Sequence, residues 1–353
     1  MKVAVAMSGG IDSSVAAALL KEEGHSVTGI TMRLPGDRGS DVVSQGRAVA
    51  ARLGIRHVVA DLRDIFTALI ISDFCSEYSL GRTPNPCVRC NKYIKFGALM
   101  AEARELGADY LATGHYARVE HDSATGKFFL RKGSDRQKDQ SYFLCRLDQE
   151  QLGRTLFPLG NMTKNDARQM AAALGLPVAE RPESRDICFI PDNDYARFLE
   201  SYCPESIRPG EILNIEGNVI GTHAGLHRYT VGQRKGLGIA AAEPLYVAAI
   251  EAEKNAVIAG GKESTYHSVL TAMDLNWISG VPPEYPASLK VRIRYRQPEA
   301  GAVLTQLDSS SVRVKFSEPQ KAIAAGQTIV FYNGETVIGG GTINSQGNKE
   351  WTQ

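Results

Sequence analysis

Short apolar runs recur along the first part of the chain, each followed by a longer stretch that favours helix. Val3-Ala4-Val5-Ala6-Met7 reads as a buried strand and Val15-Ala16-Ala17-Ala18-Leu19-Leu20-Lys21 as a helix. The alternation then repeats. Strands from Val27 to Met32 and from Arg56 to Ala60 enclose a helix from Val42 to Leu53. A further helix covers Ile94 to Leu106, and Tyr110 to His115 is a strand running into a glycine. This rhythm predicts the α/β class with a doubly wound parallel sheet, which binds ligands beyond the carboxyl ends of its strands. Gly9-Gly10, Met32 and Gly114-His115 all fall at such ends, so three separated segments are expected to meet at one crevice. After about residue 195 glycine and proline become frequent and helical periodicity fades. Strand candidates at 246–250, 287–293, 312–316 and 328–332, punctuated by turns such as Asn333-Gly334, suggest small antiparallel barrels. The expected domains are residues 1–198, a small central domain at 199–268, and a C-terminal β-barrel at 269–353.

The first of those strand ends carries the most chemistry. Ser8-Gly9-Gly10-Ile11-Asp12-Ser13-Ser14 joins the first strand to the first helix. Strand, glycine turn and helix present backbone N–H groups and a helix N-terminus to an anion. The glycines let the backbone approach a phosphate closely, and Ser8, Ser13 and Ser14 add hydroxyls. The segment is neither a Walker A loop nor a dinucleotide G-x-G-x-x-G. It resembles the SGGxDSS pyrophosphate loop of the ATP pyrophosphatases, which cleave ATP between its α and β phosphates.

Composition narrows the classes without choosing among them. With 353 residues, 43% hydrophobic and 22% charged, the chain has ample material for several cores. A net charge of +1 means that any nucleic-acid surface is a local patch. No apolar stretch reaches the roughly 18–20 residues of a membrane span. Met1-Lys2 leads straight into the first strand, so no targeting segment and a cytoplasmic location are expected.

Six cysteines, at 75, 87, 90, 145, 188 and 203, do not make a disulfide framework in a chain of this length. Cys87-Val88-Arg89-Cys90 follows two prolines, which predicts a stiffened loop ahead of the Ile94 helix. Such a pair can ligate a metal, cycle through a disulfide or activate one thiolate beside the other, and Arg89 and Lys92 should favour thiolate. A four-ligand zinc site would need a second pair, and none exists. Cys188, in Glu183-Ser184-Arg185-Asp186-Ile187-Cys188-Phe189-Ile190-Pro191, also has a polar, loop-like setting. Cys75, Cys145 and Cys203 have apolar or aromatic neighbours and read as inert.

Taken together and in order, these blocks resemble the tRNA-specific 2-thiouridylases. The likeness runs through residues 8–14, Thr83-Pro84-Asn85-Pro86, Cys90-Asn91-Lys92, Ala112-Thr113-Gly114-His115-Tyr116 and Lys138-Asp139-Gln140-Ser141-Tyr142-Phe143-Leu144. It continues through Cys188-Phe189-Ile190, Val231-Gly232-Gln233-Arg234-Lys235-Gly236 and Arg292-Ile293-Arg294-Tyr295-Arg296. The resemblance implies ATP-dependent exchange of the C2 oxygen of a wobble uridine for sulfur, with adenylation, pyrophosphate release and departure of AMP. It assigns ATP binding to Ala6, Met7, Ser8, Gly9, Gly10, Ile11, Asp12, Ser13, Met32 and Gly114, with magnesium at Asp12. Cys188 would carry a persulfide, Cys90 would be the nucleophile, and turnover would pass through a Cys90–Cys188 disulfide. Asn85, Pro86 and Cys87 would lie at the target base. His115, Lys138, Asp139, Gln140, Arg294, Tyr295 and Gln327 would touch tRNA.

One departure leaves a choice open. Many members carry Asp at the position of Cys87, so Cys87, Cys90 and Cys188 could instead hold a [4Fe-4S] cluster with one open iron. The implied partners are a tRNA anticodon stem-loop and a sulfur-donor protein, a cysteine desulfurase or sulfur relay, with no role for DNA or membrane. A lid formed by the Cys188 loop would keep water from the activated base. Arg292, Arg294 and Arg296, at alternate positions, are expected to share one strand face toward RNA. Two other functions fit parts of the chain: an argininosuccinate-synthetase-like or amidotransferase-linked ligase sharing only residues 8–14, and a non-enzymatic RNA-binding module.

Overall fold

The computed structural model describes residues 1–36, 41–176, 187–190 and 192–346. The lead-in Glu183 to Asp186 and Pro191, on which the lid expectation rests, lie outside the described residues. Strands are numbered along the chain. In β1 (Lys2–Ala6) Val3 and Val5 face one side and Ala4 the other, the period of two that a strand imposes. Parallel partners flank it. Val5 registers with Gly29 of β2 (Ser26–Arg33) and with Ala112 of β4 (Tyr110–Ala112). With β3 (Arg56–Asp61) beyond β2 and β7 (Thr155–Leu156) beyond β4, the order is β3-β2-β1-β4-β7. The chain reverses its direction of travel between β1 and β4, so the ligand crevice of such a sheet opens there.

Both faces of the sheet are covered. On one, α1 (Ile11–Glu22), α2 (Asp41–Leu53) and the helix Lys164–Ala173 bury Val15, Val49 and Ala167 with Val3 and Val5. On the other, helices at 63–79 and 86–105 bury Phe66, Ile70, Ile94 and Leu99 with Ala4 and Ile30. Full burial of such side chains stabilises by roughly 1.5–3 kcal/mol each. The doubly wound expectation holds.

The 86–105 helix departs from it. Cys87 and Cys90 are helical rather than on a loop, because the helix starts at Pro86 with Asn85 as its cap. Proline suits the first helical position, where its missing N–H has no use in any case. From Cys90 to Ala98 the helix is π-type, as is Thr67–Ile71 of the neighbouring helix. Bonding from i to i+5 brings Lys95 round toward Cys90, whereas an α-helix would turn it roughly 140° away.

A hairpin of β5 (Ala117–Asp122) and β6 (Lys127–Lys132), not foreseen in the sequence, leaves the parallel sheet for the C-terminal half. The central sheet pairs β8 (Gly210–Asn214), β9 (Val219–His223), β10 (Tyr246–Glu251) and β11 (Ala256–Gly260) in the order β10-β11-β8-β9. The last unit comprises β12 (Tyr266–Trp277), β13 (Ala287–Arg292), β14 (Ala300–Gln306), β15 (Ser311–Lys321), β16 (Thr328–Asn333) and β17 (Thr336–Gln346). It closes as β12-β15-β14-β13-β16-β17 and back to β12, an antiparallel barrel around Leu270, Val291, Leu304, Val314 and Phe331. The hairpin docks on it at Thr336 opposite Arg131.

Candidate active site

At the carboxyl end of β1 the chain turns through Gly9, whose φ of +69° and closeness to Gln45 suit only glycine. Gly10 then starts α1 in an extended conformation, and no side chain caps the helix. Its first N–H groups therefore face the crevice, where the helix dipole favours an anion. The Ser8 N–H and hydroxyl meet the Ser13 hydroxyl, while Ser13 and Ser14 donate to the Gly10 carbonyl. Ala6, Met32 and Gly114 lie at, just before and just beyond the carboxyl ends of three adjacent strands around this turn. Gly114 packs so tightly that a Cβ there would lie 2.6 Å from the Asp12 carbonyl carbon and 2.7 Å from the Ser13 nitrogen.

Asp12 has company the sequence did not reveal. Lys164 Nζ lies 2.7 Å from its Oδ1 and 2.8 Å from its Oδ2, and the Tyr116 hydroxyl donates to Oδ1 at 2.8 Å. The residues here do not themselves assemble a magnesium site. The carboxylate is taken up by an ammonium and a phenol, and among the described residues no group of three His, Cys, Asp or Glu could hold a metal ion.

The thiols lie beyond Gly114. His115, next in sequence, is 9% exposed, shares a 2.7 Å hydrogen bond between Nδ1 and Thr113, and packs on Phe96 and Phe157. Burial first, then Lys95, lowers its pKa well below 6.5, so it is neutral. The same Lys95 faces Cys87 and Cys90. Cys87 is open to water, with protein packed close around it. Cys90 is buried behind it, and burial pushes its thiol up to about 12 despite Lys95, with Cys188 and Cys87 adding to the rise. Burial likewise raises the Cys87 pKa. The expected thiolate therefore does not form in this state. Arg89 is turned to Asp73 at 2.9 Å and, with Lys92, to the Tyr93 ring, which leaves Lys95, among the described residues, as the cation that acts on the pair.

Cys188 is exposed, and its neighbours Phe189 and Ile190 are buried. Phe189 meets Phe66, Phe74 and Phe198 edge-on at 5.4–5.6 Å, which anchors the thiol's segment. Cys90 feels the charge of Cys188 and of Cys87, and among the described residues no three His, Cys, Asp or Glu stand as a group that could hold a metal ion. Cys145 is fully buried, and Cys75 and Cys203 touch each other, both partly buried.

Of the residues expected to touch RNA, Arg294, Tyr295 and Gln327 also make contacts between domains. Asp139, 3% exposed, accepts from the N–H groups of Gly133 and Ser141 and from the Ser141 hydroxyl. Gln140 pairs with the Tyr116 backbone. Lys138 is half-buried beside them. The shared arginine face is absent because β13 ends at Arg292, leaving Arg294 and Arg296 in the following turn. Arg292 points inward to Glu299 at 2.8 Å and over Tyr332, which also receives Lys132. Arg294 donates to the carbonyls of Val231 and Ala322, clamping the central domain to the barrel. Tyr295 lies 4.4 Å from the Phe143 ring. The Gln327 carboxamide donates to the Thr83 carbonyl at 2.7 Å, the Thr83 N–H donates to Ala325, and the Thr83 hydroxyl donates to Thr230. Three domains thus meet just ahead of Asn85 and Pro86, and Asn85 reaches the Tyr142 hydroxyl.

A family model described as the tRNA methyl transferase HUP domain matches residues 1–192. A tRNA methyl transferase PRC-barrel domain matches 196–261, and an aminomethyltransferase beta-barrel domain matches 267–343. The tRNA-specific 2-thiouridylase MnmA of Heliobacterium modesticaldum is 51% identical, over 97% of this chain and 92% of that one. The chain belongs to the tRNA-specific 2-thiouridylase family. The 2-thiouridylases of Geotalea uraniireducens and Pelobacter propionicus are 49% and 50% identical, over 97% and 98% of this chain and 94% and 98% of theirs. Among the described residues no helix is long and apolar enough to cross a membrane.

Proposed function

We propose that this 2-thiouridylase family member uses ATP to replace the C2 oxygen of a tRNA wobble uridine with sulfur. The observation that carries the reading is the pair Gly114-His115, which touches the start of α1 on one side and shares Lys95 with the thiols on the other. Oxide is a very poor leaving group. The C2 oxygen therefore attacks the α-phosphorus of ATP, pyrophosphate leaves into the turn at 8–13, and the oxygen becomes part of a bound adenylate. Sulfur reaches C2 from a Cys188 persulfide charged by a sulfur-donor protein, and AMP departs with the old oxygen. In one order the terminal sulfur attacks C2 first, and Cys90 then attacks the Cys188 sulfur. In the other Cys90 attacks first and releases hydrosulfide. Both end in a Cys90–Cys188 disulfide, which an external thiol must reduce.

His115 in its neutral form and the aromatic rings around it suit an uncharged base, and the cytoplasm suits a cycle that needs reduction. A small-molecule ligase would have no use for Cys90 and Cys188, and a bare RNA-binding module none for the uncapped glycine turn. The reading predicts that Cys188→Ser releases pyrophosphate in the presence of tRNA yet makes no 2-thiouridine. Pyrophosphate release indifferent to tRNA, or full thiolation by that variant, would overturn it.

A further inference from the structure

We propose that Lys164 is a positioning residue of the nucleotide site, whose ammonium cancels the Asp12 carboxylate so that the start of α1 presents positive charge to pyrophosphate. The inference rests on the reading of residues 8–14 as a phosphate loop and adds the source of its charge balance.

Asp12 lies in the first turn of α1, among the N–H groups that would receive the phosphates. A carboxylate there competes for those donors and repels an incoming polyanion. Lys164 answers both effects. Its ammonium straddles the two carboxylate oxygens at 2.7 and 2.8 Å, and its side chain is 7% exposed against 35% for Asp12. A buried ammonium is costly unless paired, so each group justifies the other's position.

The ammonium is also held in place. Lys164 is the first residue of its helix, behind a Thr163–Asp166 capping box, and its backbone N–H donates to Asp135 at 3.0 Å. Tyr116 bonds Asp12 from the other side, and the Lys164 ammonium lies 6.0 Å from the centre of its ring. A lysine serving only to anchor the helix would not need to meet a carboxylate inside the anion-binding turn.

The test is equilibrium binding of inorganic pyrophosphate, in divalent-free buffer of fixed ionic strength, to intact protein. Lys164→Met should bind about tenfold more weakly than wild type, and Lys164→Arg within about threefold of it. Asp12→Asn, which keeps the ammonium and loses the carboxylate, should bind more tightly than wild type. The double variant Asp12→Asn/Lys164→Met should return to within about threefold of wild type, a rescue that a scaffolding lysine would not allow. Unchanged binding by Lys164→Met, or a double variant no better than it, would overturn the proposal. If Lys164→Met does not fold, Asp12→Asn decides alone, since binding equal to or weaker than wild type refutes the charge argument. Wild-type protein that binds no pyrophosphate would remove the phosphate-loop reading, and this inference with it.

Discussion

Burial of Cys90 makes a quantitative claim about its chemistry. With the thiol pushed up to about 12 from an ordinary 9.0, about one molecule in 10⁴ is thiolate at pH 8, against about one in ten for an ordinary cysteine. That deficit is about a thousandfold. A more basic thiolate is also more nucleophilic, with a Brønsted slope of about 0.4–0.5, which returns about 20-fold over three pKa units. The net expectation is alkylation about 50-fold slower than for an ordinary cysteine, before access to a residue 8% exposed slows it further. The pH slope is independent of access. Iodoacetamide labelling from pH 7 to 10 should accelerate about tenfold per unit with no plateau. Trypsin cuts after Arg89, so mass spectrometry reads Cys87 and Cys90 on separate peptides. Among the described residues Lys95 is the cation holding the value down, so Lys95→Met should slow Cys90 at every pH without changing the slope. A plateau below pH 9 in wild type would refute the reasoning.

Three other outcomes are expected. Gly114→Ala drives a methyl into the backbone of the first turn of α1, so stability should fall by about 1–3 kcal/mol in urea titrations and ATP affinity should drop as well; unchanged ATP affinity would count against that contact. His115 stays neutral when folded while the unfolded chain takes up a proton near 6.5, so stability falls as pH drops below that value, by up to about 1.4 kcal/mol per unit. His115→Gln should flatten that part of the urea midpoint's pH dependence, and an identical slope in both proteins would contradict it. Arg294→Ala should loosen tRNA binding through the clamp on Val231 and Ala322 while leaving ATP binding intact, and equal loss of both would speak against that role.

The nucleotide crevice was legible because its determinants are local. An apolar strand, two glycines and a helix announce their geometry within twenty residues, and Gly114 follows another strand end in the same way. Lys164 was not legible, since nothing near it hints that 152 residues earlier a carboxylate waits in the same crevice. Lys95 was hidden differently. Its approach to Cys90 depends on a π-helical stretch, and no residue between Cys90 and Ala98 marks that geometry in sequence. The Arg292, Arg294 and Arg296 spacing imitated a strand face, but tertiary packing ended the strand at Arg292 and drew its charge inward to Glu299. The β5–β6 hairpin escaped notice because its function is to reach a distant barrel, and its own pattern is weakly alternating.

Thr83 gives the molecule a mechanical property. Its carbonyl, amide and hydroxyl are each bonded to another domain: the first two to the barrel at Gln327 and Ala325, the third to the central domain at Thr230. Pro84 and Pro86 leave little slack between that point and Cys87. A tilt of the barrel against the parallel sheet must therefore either break these bonds or drag the first turn of the 86–105 helix with it. The Cys87–Cys90 turn behaves as the pointer of a gauge whose dial is the arrangement of three domains. A force that shifts either outer domain would register at Cys87 without touching it.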